Sequence, residues 1–416
     1  MKVYRFLILK ITIISLFLQG WMISFLRLFG IDLSFSIGTI ITYALLVLLW
    51  LGIFIDGRFK KCSLPYAVML LIFVFLFLIK LSVNAAFFGE IYLKTFLLFF
   101  LPYSLLFVIL EVDNNQYLSL INTVRNLILI TIFICVAQFF FESFLPNALI
   151  RVPLINLDGV AYHTQSYLGA LKYTKPNGLV AANPIEFSFL LLCFLYFMMN
   201  VNPISEQRGL SSLLFLFFIF FILILNASRL SIIFSIILVS ITVFRFYSIT
   251  KALSLFLFSF IVVCALVFIF WEHISYIVYR LIFMGDTATS DSARLDDIAL
   301  GLTYLHDYWL VGVPAEIMNT INRIVTDGAL MLITLDFGLF LTIFFLLLFF
   351  VTPSFVLSNQ LRRYNLDVFL FIIFISLLIN SAFLSKIVFP FFLIIIGLLS
   401  LKKNHHEDNS CLSSVQ

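Results

Sequence analysis

The chain has 416 residues, of which 63% are hydrophobic and only 11% charged, and its net charge is +4. A soluble domain carries about 25% charged residues, so a globular protein with a polar surface is excluded and lipid is the expected solvent. The basic residues are scattered and form no patch with interleaved aromatics, which excludes nucleic acid as a partner.

A spanning helix needs about 20 apolar residues. The first such run covers 6–26 and is flanked or interrupted by Lys2, Arg5 and Lys10. Lys10 breaks the apolar core that a secretory signal needs, and Gln19-Gly20-Trp21 makes a poor cleavage site, so an uncleaved first helix is expected. Further runs follow at 33–55, 64–83, 91–110, 124–144, 178–199, 210–226, 229–247, 252–271, 329–351, 368–384 and 386–401. Two of the junctions are short polar breaks, Asn226-Ala227-Ser228-Arg229 and Ser385-Lys386. The expected fold is all-α: a polytopic integral membrane protein of about twelve transmembrane helices, with residues 1–416 forming a single transmembrane domain.

Orientation follows from basic residues in short loops. With the N-terminus inside, fourteen lysines and arginines between Lys2 and Lys403 face the cytoplasm, against five (Arg27, Lys80, Lys94, Arg229 and Lys386) at the outer side. N-in and C-in is therefore expected. Two long loops, about 145–177 and 272–328, then fall on the outer face. Long ordered loops are where function concentrates, so the outer leaflet is the expected place of work. In the second loop Leu295, Ile298, Leu302 and Leu305 recur at helical spacing, while Arg294, Asp296, Asp297 and Gly301 take other faces. This predicts an amphipathic helix, lying either on the membrane surface or against the bundle.

The five cysteines, Cys62, Cys135, Cys193, Cys264 and Cys411, avoid both long loops and form no CxxC pair, so neither disulfides nor a zinc site are expected. His163 and His306 lack ligand-spaced neighbours, and no metal is expected. His163 lies near Tyr162, Tyr167 and Tyr173, side chains that suit sugar rings and the headgroup belt alike. No Walker loop, dinucleotide fingerprint or GxSxG elbow is present.

Charges inside spans are costly, about 2.5–3.5 kcal/mol each on insertion scales. Glu186 and Asp336 each lie about eight residues into a span, roughly 12 Å below the outer surface. Glu142 and Arg229 sit at outer helix ends, so four charged groups are expected in the outer half of the membrane. Structural ion pairing, for example of Arg229 with Glu186, is the alternative to a functional role. Arg229 suits bidentate contact with phosphate oxygens, or snorkelling to headgroups. Asp327 suits a general base, or the cap of the helix that follows.

Several segments resemble bacterial O-antigen polymerases (Wzy-type) and the related O-antigen ligases. They are Pro176-Asn177-Gly178-Leu179 with Ala182-Asn183-Pro184, then Asn226-Ala227-Ser228-Arg229. The stretch from Arg294 to Tyr308-Trp309-Leu310-Val311-Gly312 follows, and then Asp327-Gly328-Ala329-Leu330 through Phe337-Gly338-Leu339. The resemblance covers roughly 176–340. The ligase branch carries a His where this chain has Asp327, which favours polymerase. A polymerase implies a bacterial inner-membrane glycosyltransferase for O-antigen or capsule that uses no cofactor or metal. Its substrate is an undecaprenyl-pyrophosphate-linked oligosaccharide, and the growing chain is moved onto a new repeat unit at the outer leaflet. The resemblance further implies Arg229 and Arg294 as pyrophosphate-binding residues. Asp327, His306 or Glu186 would activate the acceptor hydroxyl, and the Phe- and Leu-rich wall would hold the polyprenyl tail. A chain-length regulator is left open as a further partner. Competing expectations are an O-antigen ligase and a flippase-type transporter of lipid-linked repeat units.

Overall fold

Where no water reaches the backbone, its polar groups must be satisfied within the segment, so long apolar runs fold as helices. The computed structural model describes residues 2–28, 37–56, 63–89, 93–140, 184–201, 210–226, 228–246, 305–313, 329–358, 364–379 and 385–413. It also describes short stretches within 154–180 and isolated positions within 249–303. The helices fall on the apolar runs. They are α1 (Lys2–Leu28), α2 (Ile37–Asp56), α3 (Leu64–Phe88), α4 (Lys94–Phe100), α5 (Tyr103–Leu110) and α6 (Asn114–Phe140). After the first long loop come α7 (Pro184–Tyr196), α8 (Leu210–Leu225), α9 (Arg229–Phe246), α10 (Ala329–Leu346), α11 (Thr352–Val356), α12 (Leu366–Ile379) and α13 (Val388–Ser413). The 252–271 run is represented by single helical positions, such as Leu257 and Ile261.

Among the described residues, four helices are long and apolar enough to cross a membrane: Ile37–Ile55, Leu64–Phe87, Gln116–Gln138 and Leu330–Val356, the last running through α10 and α11. Shorter apolar helices lie at Phe96–Leu110, Glu186–Val201, Leu366–Leu378 and Val388–Leu401. The single run expected at 91–110 is split at Leu101-Pro102 into α4 and α5, because proline has no N–H to continue the ladder. α7 and α10 each end in a wide π turn, Phe197–Val201 and Leu347–Val351. Two small antiparallel pairs lie in the first long loop and qualify the all-α expectation. Leu154–Ile155 pairs with Ala161–Tyr162, and Gln165–Leu168 with Leu171–Thr174.

The chain divides into two compact units, Met1–Gly52 with Val112–Gly285, and Ile53–Glu111 with Asp286–Gln416. In the first, α1 packs on α6, α6 on α8, and α7 on α8 and α9. Lys10, which interrupts the apolar run of α1, donates to Ser119 Oγ on α6 at 2.7 Å and lies 5.1 Å from the Phe6 ring centroid. The crossing of α1 and α2 is tied by buried polar groups. Thr42 Oγ1 donates to Gly38 O (2.8 Å) and accepts from Gln19 Nε2 (3.2 Å), and Ser15 Oγ lies 2.6 Å from it. Small and hydroxyl side chains suit such interfaces because they let backbones approach. A Cβ on Gly38 would lie 2.8 Å from Gln19 O and 2.9 Å from Gln19 Cα. Backbone atoms cannot step aside as a flexible side chain can. Gly38→Ala is therefore expected to lower stability by about 1–3 kcal/mol, read as a lower unfolding midpoint of the purified chain in detergent. An unchanged midpoint would refute the tight crossing.

In the second unit, α5 packs along α13, α10 packs on α3 and α12, and α11 packs on α3. A cluster of rings forms its core. Phe337 sits 5.7–5.8 Å, edge to face, from Phe73, Phe77 and Phe99, and 6.5 Å from Phe345. Phe349 stacks on Phe392 at 4.6 Å. The high Phe content thus supplies directional packing as well as apolar surface.

Candidate functional site

The second unit contains a helix broken part-way along its length. At Gly338 the α10 backbone takes φ 76° and ψ 165°, a conformation essentially reserved for glycine. In an unbroken helix the Leu339 N–H would donate to Leu335 O. Here another segment satisfies both groups. Val313 N–H donates to Leu335 O (2.6 Å), and Leu339 N–H donates to Trp309 O (2.7 Å). Residues 309–313 thus sit in the break and complete its hydrogen bonding. The segment leaves helical residues 305–308 through a turn in which Gly312 N–H donates to Tyr308 O (2.8 Å). Gly312 also has positive φ, 74°. A Cβ there would stand 2.5 Å from both Gly338 N and Leu335 O, and one on Gly338 would stand 2.6 Å from Leu310 C. Two facing glycines are what allow the two backbones to touch. Irregular backbone at membrane depth is tolerated where protein covers it.

Asp336 lies two residues before this break. Its Oδ1 accepts from Lys80 Nζ of α3 at 3.1 Å, with side-chain exposures of 7% for Lys80 and 6% for Asp336. Asp336 is seven residues after Ala329, the start of α10, and Lys80 is eight residues before Phe88, the end of α3. At about 1.5 Å per residue both lie roughly 10–12 Å from their helix ends, so the two charges match in depth. Lys80 Nζ also stands 5.4 Å from the ring centroids of Phe77 and Phe337, whose negative faces favour an ammonium. One turn along α3, on the Lys80 face, Asn84 is 1% exposed. Among the described residues, Asn84 Oδ1 and Asp336 Oδ2 are both buried without a hydrogen-bond partner. An ion pair with one carboxylate oxygen unused thus lies among aromatic rings beside the broken helix, with a second unused acceptor one turn along α3.

The residues expected from sequence fare differently. Glu186 is not eight residues inside its helix: α7 starts at Pro184, so Glu186 stands in the first turn, half-buried. A carboxylate there favours the positive end of the helix dipole. Arg229 opens α9 and is exposed. The preceding Ser228 caps that helix, its carbonyl accepting from Ile232 N–H (3.1 Å) and its hydroxyl donating to Ser231 Oγ (3.0 Å). Glu186 and Arg229 belong to the first unit, on helices that pack together. His306 belongs to the second unit, with its side chain 89% exposed and Nδ1 3.1 Å from Asp307 Oδ1. Arg294, Asp327 and Glu142 lie outside the described residues. Among the described residues no cluster of three or more His, Cys, Asp or Glu could hold a metal.

Lys80 was assigned from sequence to an outer helix end; α3 runs on to Phe88 and makes it an interior residue. The signal available was a lysine and an aspartate at equal depth in two spans. The loop helix packs against α10 through Gly301, where a Cβ would lie 2.7 Å from Met331 Cε and 3.2 Å from Leu335 Cδ1. Of the predicted apolar face, Leu295 and Ile298 lie outside the described residues and Leu305 is half-buried. Leu302 points outward, 54% exposed, and Gly301, placed on another face, is buried. Glycine wins the contact because it lets the helices approach most closely.

No family model matches the chain, and neither a curated protein nor a solved structure was found that is similar to it. Composition, apolar helices and the buried ion pair define its class: a helical, membrane-embedded protein.

Proposed function

We propose that this chain is a polymerase of lipid-linked oligosaccharide repeat units, with about twelve spans, both termini inside, working at the outer leaflet of the bacterial inner membrane. One observation carries the reading. Two segments of the resemblance to O-antigen polymerases, Tyr308–Gly312 and Phe337–Gly338, lie against each other at the break in α10, beside a buried charged pair. In this reading Arg229 and Arg294 hold the pyrophosphate of the donor. Fixed positive charge aimed at a leaving group is an effective form of catalysis. Asp327, His306 and Glu186 are the groups that the resemblance offers for activating the acceptor hydroxyl.

A second reading, a transporter of lipid-linked units, is favoured by the discontinuous helix itself. Transporters place substrate and ion sites at such breaks near mid-membrane.

Deleting the gene and resolving surface polysaccharide on a gel separates the two. Collapse of a long ladder to a single repeat unit is expected for the polymerase. Loss of the single-unit band as well would favour the transporter, and an unchanged ladder would refute both.

A further inference from the structure

A buried acceptor without a donor costs about 1–3 kcal/mol, and native proteins satisfy such groups with water or ligand. Asp336 Oδ2, on the carboxylate that accepts from Lys80, and Asn84 Oδ1, one helical turn along α3 from Lys80, are two such acceptors. Lys80 has further N–H groups to donate. The complement of this cluster is a hydroxyl: an O–H that donates to an acceptor and an oxygen that accepts from Lys80. Phe77 and Phe337 close one side with apolar ring surface, which suits the C–H groups of a sugar.

We propose that Lys80, Asn84 and Asp336 form the acceptor-hydroxyl subsite, with Asp336 Oδ2 as the proton acceptor. The proposal rests on the polymerase reading and names a base other than Asp327, His306 and Glu186. In the step, the acceptor O–H proton passes to Asp336 Oδ2 and the hydroxyl oxygen bonds to the anomeric carbon of the donor. The bond from that carbon to the pyrophosphate oxygen breaks, and the polyprenyl pyrophosphate leaves with the electron pair. Lys80 donates to Asp336 Oδ1 and leaves Oδ2 to take the proton. In the present arrangement the carboxylate is covered. The segment 309–313 lies on residues 335–339 through the two hydrogen bonds described, with Trp309 and Leu310 54% and 53% exposed.

The test uses the full-length chain in the gene-deleted host, with the amount in the membrane measured for every variant. Asp336→Asn keeps the shape and removes the base. Lys80→Met with Asp336→Leu replaces the ion pair by apolar groups of similar size, a change that buried pairs generally tolerate. The apolar double variant is expected to reach normal levels in the membrane, whereas Asp336→Asn leaves a buried ammonium without its counter-charge and is expected at a lower level. Per molecule of folded protein both are expected to lose at least about 100-fold in long polymer, the scale of general-base catalysis. If the apolar double variant restores the ladder, the pair is only a staple between α3 and α10 and the proposal falls. A normal ladder from Asp336→Asn overturns it equally. An unchanged ladder on deletion of the gene removes the polymerase reading itself, an outcome distinct from both.

Discussion

Gly338→Ala is expected to destabilise the second unit by more than about 3 kcal/mol. A left-handed or mirror-extended conformation costs a non-glycine residue about 1–3 kcal/mol. At Gly338 that cost is compounded by collision, since a Cβ would lie 2.6 Å from Leu310 C and 2.8 Å from Val311 C. Both are backbone atoms of the inserted segment, so relief requires the segment to leave the break. That would strand Leu335 O and the Leu339 N–H, which now bond to Val313 and Trp309. The expected result is a sharp fall in folded protein recovered in detergent, with a lower unfolding midpoint for what remains. Gly338→Ala at wild-type yield and midpoint would mean that α10 can run straight.

The second large effect is expected at the ion pair. Asp336→Ala leaves an ammonium 7% exposed with no counter-charge, and removing one partner of a buried pair costs about 3–5 kcal/mol. Lys80→Ala strands the carboxylate and should cost a similar amount. Lys80→Met combined with Asp336→Leu should recover most of the loss, because neither charge is then buried. Thermal unfolding of the wild type, the single variants Lys80→Met and Asp336→Leu, and the double variant gives the coupling directly. Additive losses in the double variant would show that the two charges do not interact.

Helix positions were legible because hydropathy is the property that lipid selects. The run at 210–247 divides at Asn226–Arg229, where α8 stops and α9 starts. Helix ends were less legible, since polar turns continue a helix beyond its apolar stretch. α6 begins at Asn114, well ahead of the run at 124–144, and α3 continues through Asn84 to Phe88. That extension concealed the candidate site, for a span ending at 83 puts Lys80 at the rim. Gly338 was legible only as part of the segment Phe337-Gly338-Leu339, inside an apolar run that continues to 351. Its backbone partners are Leu310 and Val311, and no local pattern announces a contact with a segment across a loop. The pairing of Lys80 with Asp336 is likewise a matter of tertiary structure.

Lys80 and Asp336 are 256 positions apart. At synthesis rates of about 5–20 residues per second, the lysine is made roughly 13–50 s before its carboxylate exists. For that interval α3 holds an uncompensated ammonium, which its flexible stem can lift toward the headgroups. A nascent chain cut short before α10 would keep that charge exposed in every copy. The charge of Lys80 is therefore compensated only once α10 has been made, so the two halves of the second unit are joined late in synthesis.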